Sequence, residues 1–227
     1  GNWINPGIED AVFATLRYDD EGRIACVELR DGERAFPRLA VDFALLEGED
    51  ALRKYEQAGS APVRVYLVGM PKADDFEVHR PDRVRAVLGL CFNDYDSVAD
   101  VEALCISLRS SLPDVSIAVR PHPRTEEGVL KILREVATAC DCTFSDSREE
   151  GVATFLKQID VLVAGESSVH LEAVLCNIQS LYFTGGRPPK DVYGYQENGL
   201  LDGHIESVQD LSGAVREALG FVGSIRH

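Results

Sequence analysis

From Val63 onward, short apolar runs alternate with amphipathic stretches, and this alternation leaves few architectures open to the chain. The β-rich runs fall at 63–68, 84–92, 115–119, 142–144, 160–164 and 179–183. Between them lie helical stretches at 97–112, 126–139, 149–157 and 168–175, and 207–219 closes the chain. In the first helix Val98, Val101, Leu104, Cys105 and Leu108 recur on one face, and Pro113-Asp114 stops it. In the second, Val129, Ile132, Leu133 and Val136 do the same. Roughly five strand–helix alternations with short connections predict an α/β fold: a Rossmann-like parallel sheet with helices on both faces. Ligands of such sheets bind beyond the carboxyl ends of the strands. Chemistry is therefore expected in the loops after Val119, Phe144, Ala164 and Phe183.

Residues 1–62 read differently. The runs 12–18 and 23–29 flank the turn Asp19-Asp-Glu-Gly22 and predict a β-hairpin. Segments 42–46 and 51–55 suggest short helical pieces, and Gly59-Ser-Ala-Pro62 punctuates the end. The expected division is a small N-terminal α+β segment, 1–62, and a nucleotide-binding domain, 63–227. The chain opens on Gly1-Asn2 without Met, which is compatible with a missing upstream part.

The formal net charge of −15 argues against nucleic acid or an anionic membrane as the main partner. It leaves room for a small phosphorylated ligand, because a few backbone N–H groups and one or two cations suffice locally. Six cysteines lie mostly in apolar runs and read as buried small hydrophobes in a reduced compartment. Cys140-Asp-Cys142 has no zinc spacing, so no structural metal is expected. No apolar run approaches the roughly 18–20 residues of a membrane span, and no signal peptide is evident. A cytoplasmic protein is expected.

Two strand-end loops carry candidate chemistry. Arg120-Pro-His-Pro-Arg124 holds a histidine on a backbone stiffened by two prolines and flanked by two arginines. It suits an anionic group; read plainly, it is a rigid turn with solvated arginines. Gly165-Glu-Ser-Ser-Val-His-Leu-Glu172 runs from strand into helix. Ser167 or Ser168 can cap the helix and leave backbone N–H groups facing a phosphate; simple capping explains the same serines. Glu172 lies one turn beyond Ser168 and has the reach to hydrogen-bond ribose hydroxyls, unless it is an exposed helix carboxylate. His170 reads as a packed histidine rather than a catalyst. The polar loop Ser145-Asp-Ser-Arg148, with Ser145 and Asp146 foremost, is a candidate nucleobase contact or merely a turn. There is no Gly-x-Gly-x-x-Gly, P-loop or Gly-x-Ser-x-Gly motif.

A strand ending in Arg-Pro-His-Pro, followed 46 positions after His122 by Ser168 at a helix start, resembles the GT-B glycosyltransferases that use CMP- or CDP-linked donors. These include bacterial sialyl- and polysialyltransferases, capsule Kdo transferases and CDP-glycerol polymerases. His122-Pro123 and Ser167-Ser168 match their His-Pro and Ser-Ser motifs, and the resemblance covers roughly 84–220. It implies one half of a GT-B fold binding a nucleotide-sugar donor. The donor phosphate would meet His122, Arg120, Pro123, Arg124, Ser167 and Ser168. No cofactor or metal would be needed, and a glycan would be the acceptor. The family's acidic general base belongs to the other domain, so neither Asp19-Asp-Glu-Gly22 nor Glu149-Glu-Gly151 is assigned that role. A second domain or partner chain would supply it. The rival readings are a non-catalytic nucleotide- or saccharide-binding module and, more distantly, a nucleotide-sugar epimerase or hydrolase.

Overall fold

The computed structural model describes residues 13–18, 24–30, 44–49, 51–53, 64–69, 73–74, 76, 86–191 and 193–224. The chain divides into two compact units, 1–74 and 75–227. In the first, β1 (Phe13–Tyr18) and β2 (Ile24–Arg30) pair antiparallel as the expected hairpin; its turn lies outside the described residues. β3 (Ala44–Leu46) pairs in parallel with β4 (Val65–Leu67). The expected helix at 42–46 is thus corrected to a strand at its described residues, with helical backbone only at 49 and 51–53. So short an apolar run carries no period of its own, and its ladder partner decides its form.

The second unit holds one parallel sheet of six strands. They are β5 (Val87–Cys91), β6 (Ser116–Arg120), β7 (Thr143–Phe144), β8 (Val161–Ala164), β9 (Gln179–Phe183) and β10 (His204–Ile205). Their order is β7-β6-β5-β8-β9-β10, every pairing parallel. The chain enters at the centre with β5, winds out to β7, returns to the other side of β5, and winds out again. That is the Rossmann doubly wound order expected of one half of a GT-B fold. β10 was not anticipated, because two residues show no pattern.

Helices cover both faces, and strand alternation shows why. Leu88, Leu90, Ile117, Val119, Val161 and Val163 point to one face. There they pack against α1 (Val98–Ser111), α2 (Glu127–Ala139) and α5 (Val208–Ser224). Ala118, Leu162 and Ala164 point to the other face, against α3 (Val152–Leu156) and α4 (Val169–Leu175). Neighbours in a strand alternate faces, so the central strands β5 and β8 are apolar throughout. Gly89 faces α3, where a Cβ would stand 2.6 Å from Ile159 Cδ1 and 3.0 Å from Phe155 Cζ. The absent side chain lets that layer close on the central strand.

The helix expected at 149–157 begins only at Val152. Asp146 O accepts from Glu149 N and Glu150 N in a turn, and Gly151 caps in extended backbone. Among the described residues no helix is long and apolar enough to cross a membrane, and no cluster suited to a metal ion is found.

Candidate functional site

Because the strands are all parallel, the loops after β5, β6, β7, β8 and β9 leave from one edge of the sheet. β5 pairs with β6 on one side and β8 on the other. The chain runs outward in both directions from this point, so the adjoining loops diverge and leave a crevice. The His122 loop follows β6 and the Ser167-Ser168 loop follows β8, two strand spacings apart, or roughly 9–10 Å.

The loop after β5, residues 92–96, stands between them and ties them together. Asn93 Nδ2 donates to Glu166 O at 3.1 Å. Asp94 pairs with Arg124 Nε at 3.2 Å, and Asp96 with Arg187 Nη2 at 2.9 Å. Tyr95 is 61% exposed, yet its phenol is held: Asn93 Nδ2 donates to it at 2.7 Å, and its O–H reaches Glu166 O at 3.5 Å. Partial burial and the nearby Asp96 and Glu166 push its pKa up to about 12, so the phenol stays neutral. Sequence reasoning passed over this loop. Nothing local says that β5 is the central strand.

His122 is half-buried between buried Pro121 and exposed Pro123. Thr125 N donates to His122 O at 3.0 Å and closes a turn around it. The Arg124 backbone N–H donates to His122 Nδ1 at 3.1 Å. A backbone N–H can only donate, so Nδ1 is an acceptor and a neutral ring carries its proton on Nε2. Burial depresses the pKa below the ordinary 6.5, with Asp94 opposing and Arg124 reinforcing that shift. The loop therefore presents one neutral N–H donor beside Arg124, whose side chain is 75% exposed.

Arg120 is placed otherwise. Only 7% exposed, it donates from Nη1 to Ser145 Oγ and from Nη2 to Glu150 O, both at 2.6 Å. Its guanidinium carbon lies 5.1 Å from the Phe155 ring centroid. Ser145 in turn donates to the Glu150 carboxylate. Asp146 pairs with Arg134 at 2.8 Å and accepts from Arg148 N at 3.0 Å. Arg148 reaches back to Thr125 O and to Pro123 O. Arg120, Ser145 and Asp146 thus hold the His122 loop and the loop after β7 as one framework.

In the loop after β8, Ser167 Oγ accepts from Val169 N at 3.4 Å. Ser168 stands at the start of α4, exposed, with no side-chain capping bond. Glu172, one turn on, is buried at 4% exposure, close enough to raise the pKa of Cys91 and Tyr195. His170 is the packed histidine expected. At 1% exposure, its Nε2–H donates to Gly165 O at 2.8 Å, and its Nδ1 accepts from Ser180 Oγ at 2.6 Å. The carboxylate of Glu166 accepts from Tyr182 O–H. Tyr193 and Tyr195, in the loop after β9, stack at 5.2 Å, and Tyr195 meets the His170 ring edge-on.

No protein-family model matches the chain, and no curated protein matches it in sequence. Several solved structures resemble it in fold. A TarM variant from S. aureus, in complex with Fondaparinux, alpha-GlcNAc-glycerol and UDP, is 10% identical with a TM-score of 0.48; the match covers 89% of this chain and 41% of that one. The wall teichoic acid polymerase TagF, soaked with CDPG, is 13% identical with a TM-score of 0.46, covering 80% of this chain and 51% of that one. The C-terminal domain of a group 1 family glycosyl transferase (LpcC) from Francisella tularensis is 14% identical with a TM-score of 0.43, covering 65% and 87%. The chain spans only about two fifths of TarM.

Proposed function

We propose that the 75–227 unit is the donor-binding half of a glycosyltransferase that moves a sugar or a glycerol phosphate from a cytidine nucleotide to a bacterial surface glycan. The observation that carries this reading is the tautomer of His122. Its Nδ1 is engaged by the Arg124 backbone, so Nε2–H is the donor left for a ligand, in a strand-end loop two strands away from the loop of Ser167 and Ser168. In glycosyl transfer an acceptor oxygen bonds to the anomeric carbon while the bond from that carbon to the phosphate oxygen breaks. The electron pair leaves with the phosphate, and the acceptor proton goes to a base outside the residues assigned here. Donors placed where that charge develops lower the barrier. His122 Nε2–H and the exposed Arg124 guanidinium suit this task, with Ser168 hydroxyl opposite. Arg120, Ser145 and Asp146 keep the His122 loop in place, and the tethered ring of Tyr95 offers a flat face between the two motif loops.

Calorimetric titration with CMP, CDP, UMP and UDP tests the reading. Saturable binding of the cytidine nucleotides, weakened in His122→Ala, supports it; no binding of any of the four overturns it.

The non-catalytic alternative has one observation in its favour. Leu45, Tyr66, Leu67 and Val68, on and beside β3 and β4, are each 47% exposed or more. Parallel pairs are normally covered on both faces, so such a surface suits a partner. Nucleotide binding without turnover, in the presence of glycan acceptors and the nucleotide sugars, would favour it.

A further inference from the structure

The proton of His122 is fixed by backbone that a guanidinium of another loop holds in place. Pro123 has no N–H, so the Arg124 N–H is the first backbone donor after His122. It donates to His122 Nδ1 at 3.1 Å. The same peptide unit carries the Pro123 carbonyl, which points the opposite way because the unit is planar and trans. Arg148 takes that opposite side. Its Nε donates to Pro123 O at 3.5 Å, its Nη2 donates to Thr125 O, and its Nη1 pairs with Glu127 in the first turn of α2. The two carbonyls bracket Arg124, while Thr125 N donates back to His122 O at 3.0 Å.

Arg148 is itself placed by the loop after β7. Asp146 Oδ2 pairs with Arg134 of α2 at 2.8 Å, and Asp146 Oδ1 accepts from Arg148 N at 3.0 Å. The connection leaves α2 at Arg134 and returns to it at Glu127, closing around the 122–125 turn. All three nitrogens of the Arg148 guanidinium are engaged on that turn and on the start of α2.

We propose that Arg148 is a positioning residue that keeps His122 a hydrogen-bond donor toward an anion, by holding the Pro123–Arg124 peptide with its N–H against Nδ1. The inference rests on the reading that His122 meets the donor phosphate. The chemistry is a choice between two neutral tautomers. With the N–H against Nδ1, the ring carries its proton on Nε2 and can donate to a phosphate oxygen. With the peptide turned over, Pro123 O would stand against Nδ1, acceptor to acceptor. The ring proton would then pass through water to Nδ1, and Nε2 would present a lone pair to the anion. Arg148 opposes that turn, because the Pro123 carbonyl would leave a charged donor and the neighbouring Thr125 carbonyl is held by the same group.

The test first reads the tautomer in the ligand-free full chain, by long-range proton–nitrogen correlation spectra of the imidazoles at pH 8. The His122 signals are identified by their loss in His122→Ala, and in the wild type they should show the proton on Nε2. In Arg148→Met a substantial share should move to Nδ1. In Arg148→Lys, whose single ammonium cannot span both carbonyls, a smaller share should move; this variant carries the measurement if Arg148→Met does not fold. CMP affinity by calorimetry should fall about tenfold in Arg148→Met. The same substitution should add nothing to His122→Ala, because both remove one contact. A proton that stays wholly on Nε2 in the folded variants overturns the proposal. So do affinity losses that add in the double variant, which would make Arg148 a ligand of the nucleotide itself. A wild type that binds no nucleotide sinks the donor-site reading, while the tautomer spectra still decide the role of Arg148.

Discussion

Replacing His122 with alanine separates the proposed phosphate contact from the fold. The imidazole spends Nδ1 on the Arg124 N–H and has one N–H left, on Nε2. If that group donates to a nucleotide phosphate, its loss removes one hydrogen bond to a charged acceptor, roughly 1.5–3 kcal/mol, or about tenfold to somewhat over a hundredfold in affinity. The fold should hardly notice. The side chain is half-buried in a loop, and the exposed Arg124 N–H that it engages can turn to water instead. The assay is calorimetry with CMP and CDP on wild type and variant, beside thermal melts without ligand. The pH dependence follows from the tautomer. His122 titrates below the ordinary 6.5, so it is neutral at both pH 8 and pH 7, and the affinity ratio of wild type to variant should be flat between them. The ratio should widen only as pH falls below 6.5, where the ring begins to charge and can bind an anion more strongly. A variant that unfolds, or one that folds and binds both nucleotides normally, refutes the reasoning. A ratio that already climbs steeply between pH 8 and pH 7 refutes the neutral-donor account.

Ser168→Ala should cost less than His122→Ala in the same titration, about 1 kcal/mol or less, since the backbone N–H groups at the loop remain; a larger loss than at His122 would reverse the proposed roles. His170→Ala should destabilise the ligand-free protein by roughly 2–4 kcal/mol in urea melts, because it opens a cavity and strands Gly165 O and Ser180 Oγ. Burial also lowers the folded-state pKa of His170 below 6.5. Its contribution to stability is therefore fully present above 6.5 and is lost as pH falls through the depressed value; urea melts of the variant from pH 7 to pH 5 should lack that part of the wild-type decline. Gly89→Ala should destabilise by about 1–3 kcal/mol, as Ile159 and Phe155 must give way to the new Cβ; an unchanged urea midpoint would mean that the α3 layer yields freely.

The alternation of strand and helix was legible because it is a local property. A strand buried on both faces must be apolar at every position, as 161–164 is, and an amphipathic helix repeats at its own period, as 98–111 does. These patterns need no knowledge of neighbours. Where the local signal was too short, the reading slipped. Ala44–Leu46 took the form dictated by its pairing with β4, His204–Ile205 became a strand by pairing with β9, and α3 was delayed to Val152 by the turn at Asp146. His170 read as packed, and it is.

The candidate site divides along the same line. By itself the sequence determined that a Pro-bounded histidine and a pair of serines stand at strand ends, because strand ends follow from periodicity and stiff or capping residues announce themselves locally. Only the tertiary structure decided that β5 is the central strand, that the 92–96 loop with Tyr95 lies between the two motifs, that Arg120 turns inward onto Ser145, and that Asp146 pairs with Arg134. A side chain's chemistry says which partners it can take. Which partner it meets depends on long-range strand order, set by how two helical layers divide the faces of one sheet, and no run of neighbouring residues encodes that division.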